Sequence, residues 1–181
     1  MSGQPCGSRN IVRNSLRAGA FFAAIWSGLA GAACDSATHR QFDFWLGDWV
    51  VHTAQGRLAG TNTISSAHGG CVITENYTTP TGRYSGQSLN AYDAARDVWH
   101  QTWMDSAGLV LMLEGRFAEG SMTLEGHTRG SDGQRTGQRI RWTPHADGRV
   151  RQLWEQKAPD AEWTVVFDGW YSRAPATDVE K

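Results

Sequence analysis

The residues with most chemical potential in this 181-residue sequence are three carboxylates set among aromatic and amide side chains. They are Glu75 in "CVITENY", Asp105 in "WHQTWMDS" and Glu155 in "RQLWEQ". Two carboxyl groups sharing a dry cavity push one pKa up and leave the other ionised, which makes an acid–base pair. Nothing in the spacing requires Glu75 to meet Asp105 or Glu155. Arg141 and Arg151 are available to neutralise such groups as ordinary ion pairs.

Strand alternation gathers a wider set. With the parity assumed below, Glu75, Ser88, Asn90, Gln101, Trp103, Asp105, Gln152 and Trp154 approach one interior from neighbouring strands. Buried polar groups must be paired or wetted. The set is therefore either a recognition site, with indoles stacking and amide or acid groups fixing orientation, or a self-satisfied network that pins strand register. A slip of one residue would exchange the faces, so both readings stay open at this point.

Other chemistries find less support. The six histidines (His39, His52, His68, His100, His127 and His145) sit in no spacing that binds zinc, and read as surface residues. There is no Gly-x-Ser-x-Gly elbow, and "GRYSGQS" lacks its spacing. "GSDGQRTGQR", residues 130–139, is Gly-rich but leads into no helix whose dipole could hold phosphate; it reads as a long hairpin loop at an open mouth. No cofactor and no metal are implied.

The opening 33 residues have their own logic. Arg9, Arg13 and Arg17 precede an apolar run from Ala18 to about Leu29, followed by small residues up to Ala33. Positive, apolar, small is the layout of a secretory signal peptide. A retained membrane anchor is the alternative, but the run is shorter than the roughly 20 residues a span needs, and Ser27, Gly28 and Gly31 interrupt it. Cleavage would remove Cys6, Trp26, three arginines and no acid, moving the net charge from −1 to −4. A mildly acidic product carries no electrostatic footprint for nucleic acid or an anionic membrane. Membrane contact would then come only through an uncleaved or lipidated N-terminal segment. The expected location is the periplasm or the extracellular medium. There Cys34 and Cys71 are expected to form a disulfide; a lipid-modified Cys34 is the rival, although Gly31 stands where an aliphatic residue would be expected.

The elements that must position these groups are short strands. From residue 49 onward, Gly- and Asp-rich turn signals divide the chain into ten runs, 49–54, 58–66, 71–78, 85–92, 98–106, 109–117, 121–128, 138–144, 150–157 and 163–172. Several alternate with period two. Trp99, Gln101, Trp103 and Asp105 fall on one face, opposite His100, Thr102 and Met104; Met122 and Leu124 oppose Thr123 and Glu125; Ile140 and Trp142 oppose Arg139 and Arg141. Uniformly short connections favour an all-β, up-and-down antiparallel barrel over a sandwich with long crossovers. Ten strands enclose more space than an eight-stranded barrel fills with side chains, so a cavity is expected. A short helix is expected at His39 to Trp45. The domain layout is a signal segment over 1–33, a barrel over 34–173 and a polar tail over 174–181.

The stretch "FDFWLGDW", residues 42–49, together with "GGCVITENY", "GQSLNAYD", "WHQTWMDSAG", "RWTPHADGRVRQLWEQ" and "FDGWYSR", resembles a family of exported bacterial proteins of unassigned activity. That family looks like a member of the calycin-type barrels, which include lipocalins, fatty-acid-binding proteins and nitrobindins. In lipocalins a Gly-x-Trp on the first strand packs across the closed end, and Gly47, Asp48 and Trp49 match that pattern. The resemblance implies a fold and a pocket but no reaction. Nitrobindins hold haem through a histidine, and His100 lies inside a shared motif; its parity points it away from Trp103. Phe42, Phe44 and Trp45 are expected to plug one barrel end, with Gly47 turning the backbone into the first strand. Asp43 and Asp48 are expected to bond local backbone amides.

The expected function is an exported small-molecule-binding protein holding a hydrophobic or amphipathic ligand. Two other classes remain: a cofactor-free isomerase, cyclase or lyase using a pocket carboxylate, and an interaction module with a filled interior.

Overall fold

The computed structural model describes residues 34–175. The expected signal segment, and the polar tail from residue 176, lie outside the described residues. Ten antiparallel strands form one closed barrel: β1 Gly47–Thr53, β2 Leu58–Ala67, β3 Val72–Thr78, β4 Ser85–Asp93, β5 Val98–Asp105, β6 Val110–Ala118, β7 Ser121–Arg129, β8 Arg135–Pro144, β9 Val150–Lys157 and β10 Thr164–Arg173. Each strand pairs with its sequence neighbours and β1 closes on β10, with Val51 opposite Tyr171. Closure leaves no free sheet edge. The ten expected runs therefore map one to one onto the strands.

Two expectations about local structure are corrected. The helix expected at His39 to Trp45 is a single 3-10 turn, Asp43–Trp45, with hydrogen-bonded turns before it. The loop expected over 130–139 is shorter, because Arg135 opens β8 and pairs with Arg129 of β7. It closes through the Gly130 amide on the Gln134 carbonyl, 2.9 Å away.

One barrel end is closed by aromatic mass. Phe42 and Trp45 are fully buried and stack at 4.9 Å, and Trp142 meets both rings at 5.2 and 5.3 Å. The Trp49 indole donates to the Trp45 carbonyl at 2.8 Å, tying the plug to β1. Phe44 is only partly buried and leans on Phe117. Gly47 enters β1 at φ 126°, a conformation that favours glycine. The acids do not bond backbone amides as expected: Asp43 takes the Arg40 guanidinium at 3.5 Å, and Asp48 takes the Thr63 hydroxyl at 2.7 Å.

The segment that carries the plug is fastened from outside. Cys34 and Cys71 form a disulfide spanning 37 residues. Arg40 donates to the carbonyls of Cys34 and, at 2.7 Å, Gly70, which holds the leading segment against the β2–β3 connection. The β1–β2, β3–β4, β5–β6, β7–β8 and β9–β10 connections lie together at the opposite end.

Candidate functional site

Register decides who meets whom. Along one inward row, Ile64, Glu75, Ser88, Trp103 and Leu111 stand directly opposite one another on β2 to β6. The next row, toward the plug, reads Ile73, Asn90, Gln101 and Leu113. Directly opposed side chains on one face lie within contact distance, so a polar network follows from the pairing. Ser88 donates to Oε2 of Glu75 at 2.6 Å, and Asn62 donates to Oε1 at 2.7 Å. Asn90 donates to the Ser88 hydroxyl at 2.9 Å and Gln101 donates to Asn90 at 2.8 Å.

From the other side of the barrel, the Tyr171 hydroxyl accepts from Asn62 at 3.3 Å and donates to Oε1 of Gln152. Trp154 donates to Gln138 at 2.8 Å, and Gln138 passes a hydrogen bond to Thr128 at 3.0 Å. The Asn62 amide oxygen is buried without a partner.

Beside this network lies a cavity of about 260 Å³. Its walls are Tyr77, Tyr84, Trp103, Trp154, Phe167 and Tyr171, with Leu111, Ile140 and Val166; its polar groups are Glu75, Gln101 and Gln152. The cavity occupies the barrel half away from the plug, so the interior is hollow at one end and packed at the other. Trp103 reaches its place because Gly86 opposes it diagonally: a Cβ on Gly86 would stand 2.2 Å from the indole.

The electrostatics centre on one carboxyl. Burial pushes the Glu75 pKa up from 4.5 to about 7, against the lowering effect of the Ser88 and Asn62 hydrogen bonds. Both partners are neutral, so neither compensates a charge as an arginine would. Burial likewise raises the hydroxyl pKa values of Tyr77 and Tyr171, with the Glu75 charge adding to the effect.

The structure sorts the eight expected site residues into three groups. Glu75, Gln101, Trp103, Gln152 and Trp154 line the cavity. Ser88 and Asn90 face inward but are sealed behind Glu75 and Gln101, and act as their hydrogen-bond support. Asp105 lies at the rim, outside the cavity wall. It accepts from the Tyr84 hydroxyl at 2.8 Å, from the Trp103 indole at 3.3 Å and from the amides of Ala107 and Leu109 in the β5–β6 turn. Burial acts to raise its pKa, but these hydrogen bonds outweigh burial and hold the carboxyl below its ordinary value.

Glu155 takes no part. It faces outward and pairs with Arg139 at 3.0 Å, while Arg151 pairs with Asp168, so the arginines named from sequence are not the partners of these acids. His100 also faces outward, toward Glu114 at 3.2 Å and Thr102 at 2.8 Å. Among the described residues no group of three or more His, Cys, Asp or Glu side chains is placed to hold a metal ion.

The residues missed from sequence are mostly aromatic. Tyr77 shares the parity of Glu75 two positions on, and Tyr171 that of Gly169 and Phe167, so alternation alone could have found both. Asn62 alternates with Ile64 in the same way. Tyr84 sits in the β3–β4 connection, where period-two logic does not reach. No family model matches the chain, and no curated protein matches it significantly.

Proposed function

We propose that this chain is an exported barrel that carries one small, largely apolar molecule in its open half. The proposal keeps the resemblance to exported calycin-type barrels set out from the sequence motifs. The observation that carries it is the cavity itself: about 260 Å³ walled by six aromatic side chains, with three polar groups, Glu75, Gln101 and Gln152, among its lining. Binding sites for small molecules are mostly apolar, with a few placed polar groups that fix orientation. The volume is just below the usual range of about 300–1,000 Å³, which fits a compact guest rather than a long acyl chain. The Cys34–Cys71 disulfide supports an oxidising compartment, and hence export.

Native mass spectrometry of the protein purified from its own host tests this reading. The expected spectrum contains one small molecule per chain, released on unfolding. An empty barrel that also fails to take up small aromatic probes in calorimetry would overturn it.

One observation favours a second reading, a cofactor-free enzyme. A buried carboxyl with a pKa of about 7, facing a cavity, is matched to general acid–base work at neutral pH. This version uses Glu75 alone, since Asp105 is committed to the β5–β6 turn and Glu155 to the outer face. Glu75→Gln would then abolish turnover while leaving binding intact.

A further inference from the structure

The cavity offers a negative group and aromatic faces, and nothing positive. Among the described residues, no Arg, Lys or His lines it. An anionic guest such as a carboxylate would therefore enter without a counter-charge, and would face Glu75 across the same space. A cationic guest meets the opposite situation. Tyr77, Tyr84, Trp103, Trp154 and Phe167 present ring faces or edges to the cavity, and ring faces attract ammonium groups, more strongly when water is excluded. Among the described residues, Glu75 supplies the single carboxyl at the wall. Its two oxygens each accept one hydrogen bond, and a carboxylate has about four acceptor positions, so capacity remains for a further donor. At the rim Asp105 is also acidic, and it is hydrogen-bonded to two of the cavity's own wall residues, Tyr84 and Trp103.

We infer that the guest is a small organic cation, an amine or quaternary ammonium on a compact apolar body, held by the Glu75 carboxylate and the surrounding aromatic rings. The inference rests on the proposed binding function and names its ligand class.

Uptake of such a guest is coupled to a proton. In the empty barrel the groups facing Glu75 are Asn62 and Ile64 from β2, Ser88 from β4, Gln152 from β9, and the titratable hydroxyls of Tyr77 on β3 and Tyr171 on β10. None is cationic, so near neutrality a large share of Glu75 is protonated. When an ammonium group arrives, the carboxyl ionises and its proton leaves to solvent; no other bond changes. Affinity for a fixed-charge cation should then climb as pH rises toward 7 and level off above it.

The test uses four probes in isothermal titration calorimetry with the full mature chain: 2-phenylethylammonium, benzyltrimethylammonium, 2-phenylethanol and 3-phenylpropanoate. Both cations are expected to bind at least about tenfold tighter than the alcohol at pH 8, and the anion weakest. For benzyltrimethylammonium, whose charge does not vary, affinity should fall by about tenfold per pH unit well below pH 7. Titrations in two buffers of different ionisation heat should count close to one proton released per cation at pH 6. Glu75→Gln should lose the preference for cations over the alcohol and lose the proton release. Should that variant fail to fold, the proton count on the unaltered chain still decides. Anion binding as tight as cation binding, a cation preference indifferent to pH, or a preference surviving in Glu75→Gln would overturn the ligand class while leaving the binding function in place. Failure of all four probes would overturn both.

Discussion

The Ser88 hydroxyl stands 2.6 Å from Oε2 of Glu75, and it is a neutral donor facing a buried acid. The Ser88 bond favours the ionised carboxylate, but burial outweighs it and makes ionisation costly, which ties folding to pH. Glu75 titrates near 7 in the folded chain and near 4.5 when unfolded. Between those values the native state holds more proton, so stability falls as pH rises. The contribution is complete below about pH 4.5 and is lost as pH passes through 7, a loss on the order of 3 kcal/mol by pH 8. Glu75→Gln, which cannot ionise, should remove this dependence. Urea unfolding at pH 5 and pH 8 checks it: the unaltered chain should lose about 2–3 kcal/mol more than the variant. Parallel losses in the two proteins would show that Glu75 ionises freely in the fold.

Trp103 is the wall residue whose removal best separates binding from folding. Its indole is only half-buried and lies on Gly86, so Trp103→Ala strips the cavity wall without emptying the packed half of the barrel. Uptake of small aromatic probes should weaken by tenfold or more, with a stability loss below the about 3–5 kcal/mol typical of a buried Trp. Gly86→Val makes the converse change. Its new side chain would occupy the indole's position and push the ring into the cavity, again reducing uptake. Calorimetry for binding and urea unfolding for stability give the two readouts. Equal losses of both in Trp103→Ala would mark the interior as core.

Much of this was legible in the sequence, for a physical reason. Period-two alternation reports which face a side chain takes, and turn chemistry reports where strands end; together they placed ten strands and put Trp99, Gln101 and Trp103 indoors. Alternation does not report height along the barrel axis. Asp105 has the parity of Trp103 but lies one step beyond it, at the rim, where turn amides claim it. Nor does alternation report occlusion: Ser88 and Asn90 point inward yet are covered by Glu75 and Gln101. The aromatic plug was expected from the resemblance carried by "FDFWLGDW", but not the brevity of its helix. Asp43 found the guanidinium of Arg40 three residues back in its own turn, and Asp48 the hydroxyl of Thr63, a partner that only the folded barrel brings near.

The Cys34–Cys71 bond closes a 37-residue loop and fixes the segment leading to the plug. Restricting the unfolded chain over such a loop typically stabilises by about 2–4 kcal/mol. The double variant Cys34→Ala, Cys71→Ala should lose about that much in urea unfolding, and adding reductant should leave it unchanged while lowering the unaltered chain to the same level. A stability difference below about 0.5 kcal/mol would show that Arg40, bonded to the Cys34 and Gly70 carbonyls, anchors the segment unaided.

Phe42 tests whether the two barrel halves are energetically separate. It is fully buried, stacked on Trp45 and edge-on to Trp99 at 5.7 Å, and its ring partners Phe44, Trp45, Trp99 and Trp142 are not among the cavity's walls. Phe42→Ala removes a large ring from a packed cluster that cannot collapse around the gap, at a cost of about 3–5 kcal/mol. Phe42→Leu should cost less, about 1–2 kcal/mol, because most of the volume remains. Under conditions where both variants are folded, probe affinity should stay within about threefold of the unaltered chain, since a plug defect changes neither Glu75 nor the aromatic wall. An affinity that drops in step with stability would mean the plug sets the cavity's shape, with the Trp45–Tyr171 contact at 6.4 Å as the route.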